Sequence, residues 1–124
     1  MPEPTLILVV EDEPTMLRLV QEALVDAGHK VITATNGAAG LKAFQSNSTE
    51  IKLVITDLMM PKLNGVEMAR MIRKESSTVP ILFISGYADD LVFEDEVMKG
   101  PTMFMPKPFR QDTLVDEVAA ILEE

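Results

Sequence analysis

The stretch LVITDLMMPKLNG, residues 53–65, places one acid, Asp57, directly after a short apolar run. A continuous apolar run rich in β-branched residues is typical of a parallel strand that is covered on both faces. The proline that follows and the Asn64-Gly65 pair indicate a loop and then the start of a helix. The pattern therefore predicts a buried strand that holds one carboxylate rigidly at the edge of a sheet.

Four further apolar runs resemble this one and are separated from each other by segments with helical spacing. The alternation of strand and helix predicts an α/β fold, in which a five-stranded parallel sheet carries helices on both faces. The predicted strands are LILVV (6–10), VITAT (31–35), LVIT (53–56), ILFIS (81–85) and TMFM (102–105).

Helix-boundary signals support this alternation. Pro14 near the start and Gly28 after the end bound the first predicted helix, and Asn36 opens the second. Asn64 and Glu67 have the spacing of a capping box at the start of the third helix. An apolar stripe predicts the last helix near the end of the chain, with members Leu114, Val118, Ile121 and Leu122.

Length and composition predict a single soluble domain over residues 1–124. The chain is 47% hydrophobic and contains no cysteine, which excludes disulfides and thiol chemistry. The net charge of −9 argues against non-specific nucleic-acid binding and favours cations or basic partners. Apolar runs are far shorter than the ~20 residues of a membrane span, and there is no signal-peptide pattern, so we expect a cytoplasmic protein without membrane contact.

Polar residues follow four of the predicted strands. Because parallel strands end at the same edge of a sheet, Glu11, Asp12 and Asp57 should gather there with Lys107. Carboxylates held together repel each other unless a cation joins them, and oxygen ligands without His or Cys favour Mg²⁺. Mg²⁺ often pairs with phosphate oxygens, which makes Asp57 a candidate nucleophile in phosphoryl chemistry.

Four motifs at the ends of successive strands resemble those of one family. VVEDEP (9–14), TDLMMPKLNG (56–65), ISGY (84–87) and PKPF (106–109) occur in the order and spacing of the receiver domain of two-component response regulators. The resemblance covers essentially all 124 residues. It implies the strand order 2-1-3-4-5 and is greatest for receivers attached to hybrid histidine kinases of the CckA type.

The resemblance implies a role for each acid. Asp57 would accept a phosphoryl group from a phosphohistidine on a histidine kinase or a histidine phosphotransfer protein. Asp12 and Asp57 would bind Mg²⁺ directly, with the backbone carbonyl of Met59 as a further ligand. Glu11 departs from the commoner Asp, and its longer side chain suits a water-bridged contact with the metal.

Further pocket residues follow from the same resemblance. Lys107 would pair with the phosphoryl oxygens, and the Lys107-Pro108 bond resembles a cis peptide. Ser85 would hydrogen-bond to the phosphoryl group, Gly86 would leave room for it, and Tyr87 would flank the pocket.

The resemblance also implies a switch. Ser85 would be drawn toward the phosphoryl group, and Phe104 would move into the space that it leaves. The remodelled face would comprise segment 88–99, the strand at 102–105 and the helix at 111–122. Segment 88–99 is crowded with acids and has few apolar anchors, so it should be the least stable element.

The implied protein is a phosphoacceptor switch rather than an enzyme, with self-catalysed phosphotransfer and slow autodephosphorylation only. We expect a monomer or a weak phosphorylation-dependent dimer without direct nucleic-acid contact. No output domain is visible in the sequence, so a stand-alone receiver and a receiver excised from a hybrid kinase both stay open.

Three alternatives compete with this interpretation. An aspartyl-phosphate phosphatase of the haloacid-dehalogenase type would require a second acid two residues after Asp57, where Met59 lies. A pseudo-receiver would lack some of the acids or the lysine. A flavodoxin-like cofactor binder would require a phosphate-binding loop after the first strand, where EDEP would repel phosphate unless a cation intervened.

Overall fold

The computed structural model describes residues 5–58, 64–85 and 99–123, with Ser85 described by its main chain alone. Five strands in these ranges form one parallel sheet. They are β1 (Leu6–Val10), β2 (Lys30–Ala34), β3 (Ile51–Asp57), β4 (Ile81–Ser85) and β5 (Thr102–Pro106).

The described residues also form four α-helices, which connect or follow these strands. They are α1 (Pro14–Asp26), α2 (Gly37–Ser46), α3 (Gly65–Glu75) and α4 (Gln111–Leu122). None of these helices is long and apolar enough to cross a membrane.

The strand order is β2-β1-β3-β4-β5, as the resemblance implies. In register, Val10 at the end of β1 lies beside Thr56 of β3, and Asp57 lies beside Ile84 of β4. The residues that follow β1 and β3 therefore lie next to each other at the carboxyl edge of the sheet.

Alternate strand residues face opposite layers, because successive side chains of a strand point to opposite sides. Leu8 and Val10 pack in the core layer of α2 and α3, whereas Ile7 and Val9 pack in the layer of α1 and α4. Both layers are well buried, which explains why the strands are apolar runs without polar alternation.

The strand boundaries differ slightly from the predicted ones. β2 begins and ends one residue earlier than predicted, and β3 extends by two residues at its start and by one at its end. The extension matters for function because it makes Asp57 the last residue of β3. Its backbone is therefore fixed by the sheet.

The helix-boundary predictions agree with the structure. Gly28 follows α1 with a φ of 97°, which glycine adopts without strain. Asn36 caps α2 by accepting from the backbone N–H of Ala39 at 2.8 Å. The side chain of Asn64 caps α3 by accepting from the backbone N–H of Glu67 at 2.9 Å.

One buried arginine joins α3 to the strands beside it. Arg73 is only 5% exposed, and its guanidinium donates to the carbonyls of Val79 and Pro101 at 2.6 Å each. These carbonyls precede β4 and β5, respectively. Arg73 therefore fixes the amino-terminal ends of both strands to the end of α3.

We predict that Arg73→Leu lowers the free energy of unfolding by about 3 kcal/mol, because two buried carbonyls lose charged donors. Lys74→Leu is the matched control, since Lys74 is exposed on the next position of the same helix. The control should change stability by less than about 0.5 kcal/mol. Urea denaturation of the two variants measures this difference, and equal losses would contradict the role of Arg73.

Candidate functional site

Asp57 lies half-buried at the carboxyl end of β3, where its main chain and side chain are both hydrogen-bonded. Its carboxylate oxygen Oδ1 accepts from the backbone N–H of Leu58 at 2.7 Å. Its carbonyl oxygen accepts from the hydroxyl of Thr56 at 2.8 Å, and Thr56 itself is buried. The orientation of the Asp57 carboxylate is therefore restricted by the Leu58 N–H, and the carbonyl of Asp57 is held by Thr56 of its own strand.

Glu11 follows β1 and is nearly as buried as the core, with 5% of its surface exposed. Its backbone N–H donates to the carbonyl of Ala34 at 3.0 Å, which continues the pairing with β2. Its oxygen Oε2 accepts from the backbone N–H of Glu13 at 3.1 Å. The carboxylate of Glu11 thus stabilises the turn that leads into α1.

Glu13 supplies the cap of α1. Its carboxylate accepts from the backbone N–H groups of Thr15 at 3.1 Å and Met16 at 2.7 Å. The cap of α1 is therefore Glu13 and not the neighbouring Asp12. Asp12 is exposed at the rim of the site, where a carboxylate is accessible to a cation.

Lys107 connects the two less exposed acids. Its Nζ lies 2.9 Å from Oδ2 of Asp57 and 3.1 Å from Oε1 of Glu11. The lysine directly follows β5, and the Lys107–Pro108 peptide bond is cis, as the resemblance implies. The structure thus brings together Glu11, Asp57 and Lys107, which the sequence predicted to meet at this edge.

Burial and charge act in opposite directions on these groups. Burial raises the pKa of Glu11, and the charge of Asp57 adds to this effect, while the Glu13 N–H and Lys107 oppose it. Burial alone would lower the pKa of Lys107, but its hydrogen bonds to Asp57 and Glu11 and the charges of both acids raise it. The two acids therefore favour the charged form of Lys107, whereas burial disfavours the ionised form of Glu11.

The three acids form a cluster with the chemistry of a cation site. One carboxylate oxygen each from Glu11, Asp12 and Asp57 lies within 4.8 Å of the others. Three negative charges face one lysine, which leaves a formal excess of two negative charges. An oxygen-only donor set with this charge fits a hard divalent cation such as Mg²⁺.

Several predicted site residues lie outside the described part of the chain. These are Met59, Gly86, Tyr87 and all of segment 88–99 except Lys99. Ser85 ends β4, where its backbone pairs with Pro106 of β5. The predicted roles of these residues and of the Ser85 side chain stay predictions.

Phe104 is the predicted switch residue and lies in the middle of β5. Its ring stacks on Phe83 of β4, with ring centroids 5.4 Å apart and an interplanar angle of 13°. Phe83 precedes Ser85 by two residues on β4, and its backbone is the register partner of Phe104. The two aromatic rings thus join the last two strands close to the predicted site.

Sequence comparison identifies the family. The model of the response regulator receiver domain matches residues 7–119. The chain therefore belongs to the response regulator receiver domain family. Members of this family act as phosphoacceptor switches in two-component signal transduction, and phosphorylation and Mg²⁺ are typical of them.

Individual relatives come from different kinds of signalling protein. The chain is 39% identical over 116 residues to the transcriptional regulatory protein YrkP of Bacillus subtilis, and this covers 94% of the chain and 48% of YrkP. It is 30% identical over 118 residues to the sensor kinase CckA of Brucella abortus, which covers 95% of the chain and 12% of CckA.

A solved structure confirms the fold. A receiver domain protein from Clostridium thermocellum superposes with a TM-score of 0.85 at 29% identity, covering 96% of this chain and 94% of that one. The chain spans about half the length of the transcriptional regulators that it matches.

The predicted likeness to CckA receivers is supported only in part. A CckA receiver is among the similar proteins, but transcriptional regulators such as YrkP are at least as similar. Identity at this level therefore assigns the family and does not select one kind of parent protein.

The raised pKa of Glu11 predicts a specific pH dependence in metal-free buffer. A folded-state pKa above the ordinary value of 4.5 gives a contribution to stability that is present below pH 4.5 and is lost as pH rises through the folded-state pKa. The free energy of unfolding of the wild type, relative to that of Glu11→Gln, should therefore fall as pH rises. Urea denaturation between acidic and neutral pH in the presence of a chelator measures this difference.

Glu13→Gln is a control with the opposite sign. Hydrogen bonds from Met16 and Thr15 lower the pKa of Glu13, so its contribution is present above pH 4.5 and is lost as pH falls through the folded-state pKa. The wild type should gain stability relative to this variant as pH rises. The two pKa shifts would be contradicted if the stability of the wild type changed with pH in the same direction relative to Glu11→Gln and relative to Glu13→Gln.

Proposed function

We propose that Asp57 accepts a phosphoryl group from the phosphohistidine of a histidine kinase or a histidine phosphotransfer protein. The observation that supports this role is the convergence on Asp57 of two further carboxylates and the ammonium of Lys107. Asp57 lies at the carboxyl edge of a parallel sheet, which is where such folds bind ligands. Glu11 shares the cluster and the contact with Lys107, but Asp57 is the more exposed of the two.

The proposed transfer is a substitution at phosphorus. A carboxylate oxygen of Asp57 forms the new O–P bond while the P–N bond of the phosphohistidine breaks. The imidazole nitrogen keeps the electron pair of that bond and takes up a proton. Because the phosphoryl oxygens carry the developing charge, the chain contributes mainly by positioning and by electrostatic stabilisation.

Asp12 and Asp57 are the proposed direct ligands of Mg²⁺, with the carbonyl of Met59 as a third. When bound, the ion would neutralise charge on the phosphoryl oxygens. Both oxygens of Glu11 already accept hydrogen bonds, from Lys107 and from the Glu13 N–H. A water-bridged rather than a direct contact between Glu11 and the ion is therefore the role that we propose.

Lys107 is the proposed partner of the phosphoryl group. Its Nζ already lies 2.9 Å from Asp57, so a small movement would bring it to an oxygen of a phosphoryl group on that residue. Ser85 is proposed to hydrogen-bond to another phosphoryl oxygen from the end of β4. Gly86 and Tyr87 would border the same pocket.

Signal output is proposed to pass through Phe104. Its ring is half-buried against Phe83, so a movement at Ser85 would change the packing of the last two strands. We infer a population shift between two packings of the face formed by segment 88–99, β5 and α4. Slow hydrolysis of the aspartyl phosphate would return the switch to its starting state.

The wider context is also a proposal. Residues 1–124 would act as one receiver domain in the cytoplasm, as a monomer or a weak phosphorylation-dependent dimer, without direct contact to nucleic acid or membrane. Both a stand-alone receiver and a receiver within a larger protein agree with the range of relatives.

We predict that incubation with acetyl phosphate and Mg²⁺ adds one phosphoryl group, measured as a mass increase of the intact protein. Asp57→Asn should prevent the addition, because an amide is a poor nucleophile and is uncharged toward the metal. Asp26→Asn is the control, since Asp26 is exposed at the last residue of α1, at the opposite end of this helix from Glu11 and Asp12. A phosphoryl group that persists in Asp57→Asn would exclude Asp57 as the acceptor.

A further inference from the structure

The Asn64-Gly65 pair does more than start a helix, because α3 begins directly against the main chain of the acceptor. The backbone N–H of Gly65 donates to the carbonyl of Leu58 at 2.9 Å. The backbone N–H of Leu58 in turn donates to Oδ1 of Asp57 at 2.7 Å. Two successive hydrogen bonds therefore connect the first residue of α3 to the carboxylate of Asp57.

The peptide unit between Asp57 and Leu58 is also held from its other side. The hydroxyl of Thr56 donates to the carbonyl oxygen of Asp57 at 2.8 Å. Thr56 is 1% exposed and belongs to β3, so this donor has little freedom to move. The peptide that follows Asp57 is thus fixed between the sheet and the start of α3.

Space at this contact admits only glycine at position 65. A β-carbon on Gly65 would overlap the carbonyl oxygen of Asp57, and it would lie 3.0 Å from the carbonyl carbon of Asp57 and 3.1 Å from Cα of Leu58. All three of these atoms belong to the main chain and cannot rotate away. At the start of a helix alanine is otherwise the better helix former, so the requirement arises from contact with Asp57.

We propose that Gly65 is a positioning residue of the phosphoacceptor site. Its missing side chain lets α3 dock on the Asp57–Leu58 peptide, and this contact sets the direction of the Asp57 carboxylate. The proposal rests on the proposed function of Asp57 as acceptor. Its structural part, the effect of Gly65 on the Leu58–Asp57 hydrogen bond, is measurable without phosphorylation.

A larger side chain at position 65 would push the peptide after Asp57 out of place. The Leu58 N–H would then lose its alignment with Oδ1, and the carboxylate would gain rotational freedom. Misplacement of a reacting group by about 1 Å can slow a reaction by about 100-fold. Phosphorylation of folded Gly65→Ala should therefore be slowed by about 10- to 100-fold.

Gly40→Ala is the matched control. A β-carbon on Gly40 would lie 2.7 Å from Sδ of Met68 and 2.7 Å from Cγ2 of Val10, which are side-chain atoms of the same core layer. Both variants should lose stability through crowding. Only Gly65→Ala places the added carbon against the main chain of the acceptor.

The experiment compares both variants with the wild type by two readouts. The amide proton shift of Leu58, measured by NMR without a phosphodonor, reports its hydrogen bond to Asp57. The rate of phosphorylation by acetyl phosphate at saturating Mg²⁺, per folded molecule, reports the reaction. Gly65→Ala should move the Leu58 amide proton upfield and slow phosphorylation by about 10- to 100-fold, whereas Gly40→Ala should change neither.

Thr56→Val tests the same peptide if Gly65→Ala does not fold. It removes the donor to the Asp57 carbonyl with little change in shape. Like Gly65→Ala, it should move the Leu58 amide proton upfield and slow phosphorylation. The proposal would be overturned if folded Gly65→Ala kept the wild-type Leu58 amide shift and the wild-type rate of phosphorylation. If Gly65→Ala does not fold, the same result in Thr56→Val would overturn it. Equal slowing by Gly65→Ala and Gly40→Ala would overturn it too.

A wild-type protein that takes no phosphoryl group would instead contradict the proposed function. In that case the Leu58 shift alone decides the positioning role of Gly65. An upfield movement confined to Gly65→Ala would support it, and an unchanged shift would reject it.

Discussion

The ammonium of Lys107 between Glu11 and Asp57 is the interaction on which the site depends. Lys107 lies 96 positions after Glu11 and 50 positions after Asp57 in the chain, and it contacts them at 3.1 and 2.9 Å, respectively. Without this cation, two poorly exposed carboxylates would face each other with Asp12 nearby. Part of their repulsion is offset by the lysine, and the remaining negative charge attracts a divalent cation. The two contacts of Lys107 thus hold the acceptor and the buried Glu11 together at one site.

Strand order determines which residues can take part in this contact. β3 lies between β1 and β4, so Glu11 after β1 and Asp57 at the end of β3 are neighbours. Lys107 follows β5, two strands away from β3, and spans the gap with its long side chain. Contacts between residues closer in sequence complete the arrangement: Glu13 caps α1, and Gly65 brings α3 onto the peptide after Asp57. Besides its own strand, the acceptor is therefore held by Lys107 after β5 and by the start of α3.

The apolar runs predicted the parallel sheet and the meeting of Glu11, Asp57 and Lys107, because buried parallel strands leave continuous apolar runs and end at one edge. The order of the strands came from the resemblance to receiver domains and not from these runs. The sequence did not identify Glu13 as the cap of α1, because Asp12 and Glu13 both lie just before Pro14 and either carboxylate could serve. It missed buried Arg73, because an arginine on an amphipathic helix is usually exposed. The close approach of Gly65 to Asp57 has no sequence pattern beyond the glycine itself, so only three-dimensional contacts identify it.

The central claim is that the carboxylate cluster forms one site for a divalent cation and a phosphoryl group on Asp57. Fluorine NMR with beryllofluoride, a mimic of the phosphoryl group, tests this claim most directly. We expect protein-bound fluorine signals only when Mg²⁺ is present and Asp57 is intact, with loss of these signals in Asp57→Asn. Bound signals that persist without Mg²⁺, or in Asp57→Asn, would contradict it, as would their absence from the wild type with Mg²⁺.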